Sequence, residues 1–304
     1  RERAGGIGGG GARCGRGGAG RGRLDASELG WHSKSKGKVQ RVVERIHAAA
    51  IGDVKEVYCW VGGSGGMPKG PTGPKDVPAV PDSMKWDLWI GPARKRECSA
   101  ACAPYNWRFW WDYGTGETGN WGCHILDIPF WGLGLKYPTR VDASGPKIDA
   151  DRTPKSMATH FEFPASKNNG PVKLNWYHGT PPILKKLKID GRGFNNLFIG
   201  EKGMLICGFG KRKLIGKQFN DFNAPEKSIP DSPGFYNEWI TACNGGEPAT
   251  CEFGYSGPLS ETVLLGNTAF RAGDGFQWDG ARLKATGNTK ADEYLQPTFR
   301  KGWV

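Results

Sequence analysis

Residues 157–177 read MATHFEFPASKNNGPVKLNWY and carry the clearest strand pattern in the chain. Apolar and polar side chains alternate over Met157–Phe163 and again over Val172–Tyr177, which predicts two β-strands. Asn169-Gly170 lies between them and favours a tight turn. Strands that a short turn connects run antiparallel, so this stretch predicts an antiparallel hairpin.

The rest of the chain continues this mixture of strands and helices. Leu197–Ile199 and Met204–Cys207 predict a second hairpin, and Val54–Val61 predicts a further strand. Residues 66–82 contain five prolines and predict an irregular loop. Helical spacing of apolar residues predicts helices over residues 38–50, Thr118–Leu135, Tyr236–Ala242 and Ser260–Arg271, with Gly52 ending the first and Ser260 capping the last. This order indicates the α+β class with an antiparallel sheet.

Glycine and positive charge are concentrated at the start of the chain. The protein has 304 residues, 48 glycines and a net charge of +12, and residues 1–23 hold eleven of the glycines and six arginines. This segment has no hydrophobic periodicity, so residues 1–37 are predicted to be disordered or non-native sequence, and residues 38–304 to form one domain. Residues 6–11 fit G-x-G-x-x-G, but so many glycines match that pattern by chance. The segment lacks the Phe and Tyr that stack on RNA bases, so we expect no nucleic-acid partner, with an RNA-binding tail as the alternative.

Cysteine spacing and hydropathy limit the class of protein further. Eight cysteines, none of them spaced C-x-x-C, indicate neither a zinc site nor a disulfide scaffold. We therefore expect no metal and a reduced, cytoplasmic protein. The chain begins with Arg1 rather than Met, so export stays open. No run approaches the roughly 20 apolar residues of a membrane-spanning helix, so we expect no membrane partner.

Candidate catalytic and binding residues are most frequent in YNWRFWWDYGTG, residues 105–116, and in GNWGCHILD, residues 119–127. Asn120, His124 and Asp127 are spaced to share one face of a helix. Histidine titrates near pH 6.5, so His124 could take a proton from a substrate hydroxyl at neutral pH. A hydrogen-bonded core histidine is the alternative that spacing alone leaves open. A metal site is disfavoured because no third ligand has a recognised spacing.

Several further segments, taken in their order along the chain, form one recognisable pattern with this stretch. They are Ala50–Val54, Trp86–Ala93, Val172–Tyr177, Glu238–Cys243, Ser260–Asn267, Tyr294 and Phe299–Trp303. In this order, residues from about 40 to 304 resemble the C-terminal part of the Gfo/Idh/MocA oxidoreductases, in their bacterial, planctomycete-type branch. The resemblance implies a large, open, mostly antiparallel sheet with helices packed on one face.

The resemblance also implies a function. Such enzymes move hydride between NAD or NADP, held by an N-terminal Rossmann domain, and a sugar or polyol. His124 corresponds to the family's base, and Asn120 stands where the family more often has Asp. A neutral amide cannot stabilise an imidazolium as a carboxylate would. Arg108, Asp127, Tyr177 and His178 are weaker candidates for substrate binding.

The family's Glu-Lys-Pro motif does not occur in the sequence, and nothing before Lys38 resembles a Rossmann domain. We therefore expect the substrate domain of an oxidoreductase, inactive without its cofactor domain. One alternative is an NAD-dependent glycoside hydrolase of the same superfamily. Another is a non-catalytic carbohydrate-binding module that uses Trp107, Trp110, Trp111 and Trp121 as a platform. Family members commonly pair through the exposed face of this sheet, which implies a homo-oligomer.

Overall fold

A computed structural model describes residues 37–62, 79–98, 102–103, 106–296 and 298–303. The expectations for residues 1–36 and for most of the proline-rich loop lie outside these residues. The helices are α1 (Gly37–His47), α2 (Trp86–Ile90), α3 (Gly116–Leu133), α4 (Pro182–Lys186), α5 (Phe235–Cys243), α6 (Phe253–Ala272) and α7 (Thr289–Leu295), with short 3-10 helices at Asn106–Phe109 and Lys217–Phe219. The strands are β1 (Val54–Val61), β2 (Arg140–Ser144), β3 (Met157–Phe163), β4 (Val172–His178), β5 (Asn196–Gly200), β6 (Gly203–Cys207), β7 (Arg212–Ile215), β8 (Phe276–Asp279) and β9 (Lys284–Thr286).

The nine strands of the described residues form one open sheet in the order β7-β6-β5-β1-β4-β3-β2-β8-β9. Neighbouring strands are antiparallel except β1 and β4, which run parallel with Val57 opposite Leu174. The predicted α+β class and the large, mostly antiparallel open sheet are confirmed. The parallel pair lies at the centre of the sheet and joins segments far apart in sequence.

The two faces of the sheet are covered differently. Val57 and Cys59 of β1 point into the main core, which α1, α3 and α6 complete. Tyr58 and Trp60 point to the other face, where Leu184 of α4 closes a smaller cluster. The predicted packing of helices on one face therefore holds for α1, α3 and α6, whereas α4 lies on the other face. None of the helices in the described ranges is both long and apolar enough to cross a bilayer.

The end of the first helix and the connection between β3 and β4 differ from the predictions. The first helix ends at His47 instead of residue 50, and a turn with Ala49 at a φ of 49° leads into β1. The strands β3 and β4 pair as predicted, but an eight-residue loop, residues 164–171, replaces the tight turn. The side chain of Asn169 explains this longer loop. It accepts from Val54 N and donates to Val54 O, both at 2.8 Å, and so pairs with the first residue of β1.

The start of the last long helix is a second correction. The helix α6 begins at Phe253 with the side chain of Glu252 as its cap, so Ser260 lies inside it and is not its N-cap. The helix continues through Pro258, which lacks an N–H to donate. Pro258 and Leu259 are buried, and this packing outweighs the missing hydrogen bond.

Candidate active site

The candidate site lies at the start of α3, where glycines let backbone segments approach closely. A Cβ atom on Gly114 would lie 2.5 Å from the Cα atom of Arg108, so only glycine permits this contact. Gly116 has a φ of 65°, and a Cβ there would lie 2.8 Å from Thr153. The 3-10 helix that carries Arg108 is thereby packed tightly on the entry to α3.

The first half of α3 is fixed between the sheet and α6. The indole Nε1 of Trp176 in β4 donates to Thr118 Oγ1 at 3.1 Å in a buried position. Asn267 Nδ2 of α6 donates to the carbonyl oxygen of Thr115 at 3.2 Å. These bonds hold the helix that carries the candidate catalytic residues in one position relative to the sheet.

The three residues predicted to share a face of α3 do lie on it, at graded depths. Asn120 is exposed and donates to Glu117 Oε2 at 3.3 Å, His124 is half-buried, and Asp127 is fully buried. The His124 ring meets the edge of the Trp121 ring, with centroids 6.1 Å apart. Within the described part of the chain, no hydrogen bond to the His124 ring is found.

Electrostatics keep His124 neutral at pH 7. Burial lowers the pKa of the His124 imidazole, and the nearby carboxylate of Asp127 opposes that effect in part. A neutral imidazole has an unprotonated nitrogen that can accept a proton. His124 thus has the protonation state that a general base requires.

Asp127 accepts a hydrogen bond from Tyr255, a residue that sequence patterns did not indicate. The Tyr255 hydroxyl donates to Asp127 Oδ1 at 2.5 Å and reaches the Asp127 carbonyl oxygen at 3.2 Å. The two residues are 128 positions apart, so no local pattern could have paired them. Asp127 has no exposed surface, which places it behind His124 rather than in contact with a substrate.

The remaining predicted site residues are spread over two sides of the sheet. Arg108 is half-buried, with its guanidinium 5.3 Å from the Trp107 ring centroid. Tyr177 and His178 are neighbours on β4 and therefore point to opposite faces. Tyr177 stacks on Tyr58 on the face away from α3, with ring centroids 6.3 Å apart. The structure does not bring Tyr177 together with His124.

His178 belongs to the helix-covered face and is almost fully buried. It is 5% exposed, and its Nε2 atom has no hydrogen-bond partner among the described residues. The hydroxyls of Thr159 in β3 and Thr262 in α6 are likewise buried and without partners in those residues. Burial lowers the pKa of His178 to about 4. The resemblance named His178 as a weaker candidate for substrate binding, whereas no local pattern indicated Thr159 or Thr262, which lie on separate elements.

The four tryptophans considered as a carbohydrate platform are mostly used in packing. Trp110 is 6% exposed, and the Arg96 guanidinium lies 5.3 Å from its ring centroid. Trp111 donates from Nε1 to the Asp149 carbonyl oxygen at 3.1 Å. Trp121, at 39% exposed, is the large exposed aromatic of this group.

Neither a metal nor a dinucleotide fits the site as the structure describes it. No group of three or more His, Cys, Asp or Glu side chains that could hold a metal occurs in the described ranges. Residues 114–119, GTGETG, fit G-x-G-x-x-G and open α3, but a 3-10 helix precedes them where a dinucleotide site has a strand. The space beside these glycines is filled by Arg108, Thr153 and Thr115, so it is not a cradle for a pyrophosphate.

Comparison with known families gives one match. Residues 67–163, about a third of the chain, match the family model GFO_IDH_MocA_C2, described as the oxidoreductase family, C-terminal alpha/beta domain. The matched stretch contains the start of α3 with Asn120, His124 and Asp127. No curated protein matches the chain. The chain therefore resembles an oxidoreductase domain over this stretch.

Solved structures similar to the chain include several dehydrogenases. An NAD-binding protein from Listeria innocua is 14% identical, with a TM-score of 0.48, over 84% of this chain and 61% of its own. The WlbA dehydrogenase from Bordetella pertussis, in complex with NADH and UDP-GlcNAcA, is 14% identical, with a TM-score of 0.48, over 81% and 62%. An inositol dehydrogenase homolog from Azotobacter vinelandii, complexed with NADH and myo-inositol, is 10% identical, with a TM-score of 0.44, over 82% and 63%.

These similarities are limited in two ways. All three identities lie at or below 14%, and all three TM-scores lie below 0.5, so no functional conclusion follows from them alone. The chain spans 59% to 63% of the length of the solved structures named here and of an oxidoreductase from Thermotoga maritima.

Proposed function

We propose that this chain is the substrate-binding domain of a Gfo/Idh/MocA oxidoreductase that oxidises or forms a hydroxyl group of a sugar or polyol, with NAD or NADP as the hydride carrier. The observation that carries the proposal is the burial and protonation state of the His124 imidazole. This imidazole is half-buried on a rigidly held helix, neutral at pH 7, and without a hydrogen bond in the described residues. The family match over residues 67–163 includes this helix start and supports the same assignment.

In the proposed reaction, His124 accepts the proton of the reacting hydroxyl on one ring nitrogen while the carbon gives up hydride. Asn120, four residues earlier and exposed on the same face, orients the substrate through its amide. Asp127 sits behind His124, and its negative charge favours the imidazolium that forms. The described residues do not form a dinucleotide site, and the nicotinamide would be held by the N-terminal Rossmann domain that the resemblance implies.

The test is reduction of NAD⁺ or NADP⁺, followed at 340 nm, by the protein at its natural length with a panel of polyols that includes myo-inositol. Replacing His124→Gln should lower kcat by about 10²- to 10⁴-fold, the usual contribution of a general base, and change KM by only a few-fold. His47→Gln, at an exposed histidine on α1, is the matched control and should leave kcat unchanged.

Two results would overturn the proposal. An unchanged kcat in His124→Gln would remove His124 from the mechanism. Saturable polyol binding without any nicotinamide reduction, measured as quenching of tryptophan fluorescence, would instead indicate a binding module.

A further inference from the structure

A cavity that is open to solvent lies near the C-terminal end of α3, between α1 and the β7 edge of the sheet. Its volume is about 400 Å³. The position follows from α1, because a Cβ atom on Gly132, in the last turn of α3, would lie 2.7 Å from Ile46. The residues that line the cavity are Arg45, Leu205, Lys211, Arg212, Lys213, Leu214 and Phe222, with no acidic residue among them.

Two of the four basic residues direct their charge to this cavity. Arg212 and Leu214 alternate with Lys213 and Ile215 along β7, and Leu214 packs against the main core, so Arg212 points to the helix-covered side. Lys213 therefore points to the other side. The Lys211 ammonium donates to the Arg192 carbonyl oxygen at 2.7 Å, away from the cavity.

Arg45 completes the pair from α1. Its Nη1 atom donates to the Arg41 carbonyl oxygen at 2.6 Å, and its guanidinium lies 6.0 Å from the Phe222 ring centroid. Neither Arg45 nor Arg212 has a carboxylate within ion-pair distance in the described residues. Burial and the like charge of Arg212 both lower the pKa of Arg45, and the nearby carboxylate of Glu44 opposes this effect in part.

We propose that this cavity binds a small phosphorylated molecule, with the phosphate between the guanidinium groups of Arg45 and Arg212. A phosphate monoester carries about −1.5 to −2 charges at pH 7, which matches two facing cations better than a single carboxylate does. Guanidinium groups bind phosphate oxygens in a bidentate manner. Leu205, Leu214 and Phe222 supply an apolar wall for the organic part of the ligand.

The probe is phenyl phosphate, titrated calorimetrically into the full chain at pH 8 and low salt, with inorganic phosphate as the comparison. Phenyl phosphate should bind more tightly than inorganic phosphate, because its ring contacts the apolar wall. Arg212→Gln should weaken binding by about tenfold to a hundredfold, the usual effect of losing a hydrogen bond to a charged group. Lys185→Gln removes a positive charge from α4, on the opposite face of the sheet and outside the cavity lining, and should change the affinity less than twofold.

Arg212→Lys keeps the charge but loses the bidentate geometry and should weaken binding by a few-fold, which keeps the test valid if Arg212→Gln does not fold. Absence of binding at millimolar phenyl phosphate would overturn the proposal. Equal losses in Arg212→Gln and Lys185→Gln would also overturn it, since they would indicate attraction to overall positive charge. Equal affinities for phenyl phosphate and inorganic phosphate would exclude the proposed ligand class.

Discussion

The hydroxyl of Tyr255 donates to the buried carboxylate of Asp127 at 2.5 Å and thereby links the first turn of α6 to the middle of α3. Burial holds the pKa of Tyr255 well above its usual value, so the hydroxyl keeps its proton at neutral pH and remains a donor. Asp127 is three residues after His124 on the same helix. The link therefore fixes the negative charge that faces the proposed base.

Removing this donor should destabilise the protein measurably. Tyr255→Phe leaves the ring in place and takes away the bond to a buried carboxylate, so the free energy of unfolding should fall by about 2 kcal/mol. Urea denaturation measures this change. Tyr236→Phe is the matched control, because Tyr236 on α5 is 70% exposed and should give no change. An equal effect of the two substitutions would show that the bond to Asp127 does not contribute to stability.

The contact between α3 and α6 depends on a missing side chain at Gly122. A Cβ atom there would lie 2.8 Å from Val263 Cγ1 and 2.9 Å from Val263 Cγ2. Gly122→Ala should therefore reduce the free energy of unfolding by about 1–3 kcal/mol through overpacking, despite the better helix propensity of alanine. Thermal and urea unfolding of the variant check this.

Two further variants separate overpacking from a general effect of alanine. Val263→Ala makes room for the new methyl group, so the double variant should be more stable than the sum of the single effects predicts, by about 1 kcal/mol. Gly37→Ala, at the start of α1, where the Cβ position has only Gln40 Oε1 at 3.9 Å near it, should not destabilise the protein. Additive effects of Gly122→Ala and Val263→Ala would contradict the predicted clash.

Local sequence patterns predicted the strands and helices in which apolar side chains recur at a regular spacing. Alternation identified β3 and β4, and apolar periodicity identified α1 and most of α3. The strands β2, β7, β8 and β9 were missed because they are three to five residues long and carry charged side chains. The parallel pairing of β1 with β4 was missed because it joins strands more than 100 residues apart, which no local rule specifies.

The candidate site was predictable to a similar extent. Helical spacing placed Asn120, His124 and Asp127 on one face of α3, but it did not predict how deeply each side chain is buried. The structure shows that burial increases from Asn120 to Asp127. Depth depends on α6, whose Tyr255 covers Asp127. Whether these residues act on a substrate stays a prediction until His124→Gln is measured.

Glu261 on α6 should make stability depend on pH. Burial raises its pKa to about 7, although Trp278 Nε1 donates to its carboxylate at 2.6 Å. The folded state thus holds the proton more tightly than the unfolded state, whose pKa is near 4.5. This contribution is fully present below pH 4.5 and is lost as the pH rises through 7. Glu261→Gln keeps an acceptor for Trp278 and removes the cost of ionisation.

The Glu261→Gln variant should accordingly be more stable than the parent protein at pH 8, by about 2 kcal/mol after allowance for partial solvent exposure, and about equally stable at pH 4.5. Urea denaturation at both pH values gives the two differences. Glu226→Gln, at an exposed glutamate, should give no such pH-dependent gain. A gain of the same size at both pH values would mean that ionisation of Glu261 is not its cause.

His178 should make stability depend on pH in the opposite direction to Glu261. Its pKa is lowered to about 4 by burial, against 6.5 for an unperturbed histidine, so the unfolded state takes up the proton first as the pH falls. Stability should therefore be lost between about pH 6.5 and 4, by roughly 3 kcal/mol in total. His178→Gln removes this contribution, so its free energy of unfolding relative to that of the parent should rise by roughly 3 kcal/mol as the pH falls from 7 to 4. His47→Gln, at an exposed histidine, should keep the parent's dependence. Glu261 and His178 act in opposite directions over the same pH range, so the difference between variant and parent is what tests His178. Parallel profiles for parent and His178→Gln would show that His178 is not buried in its neutral form.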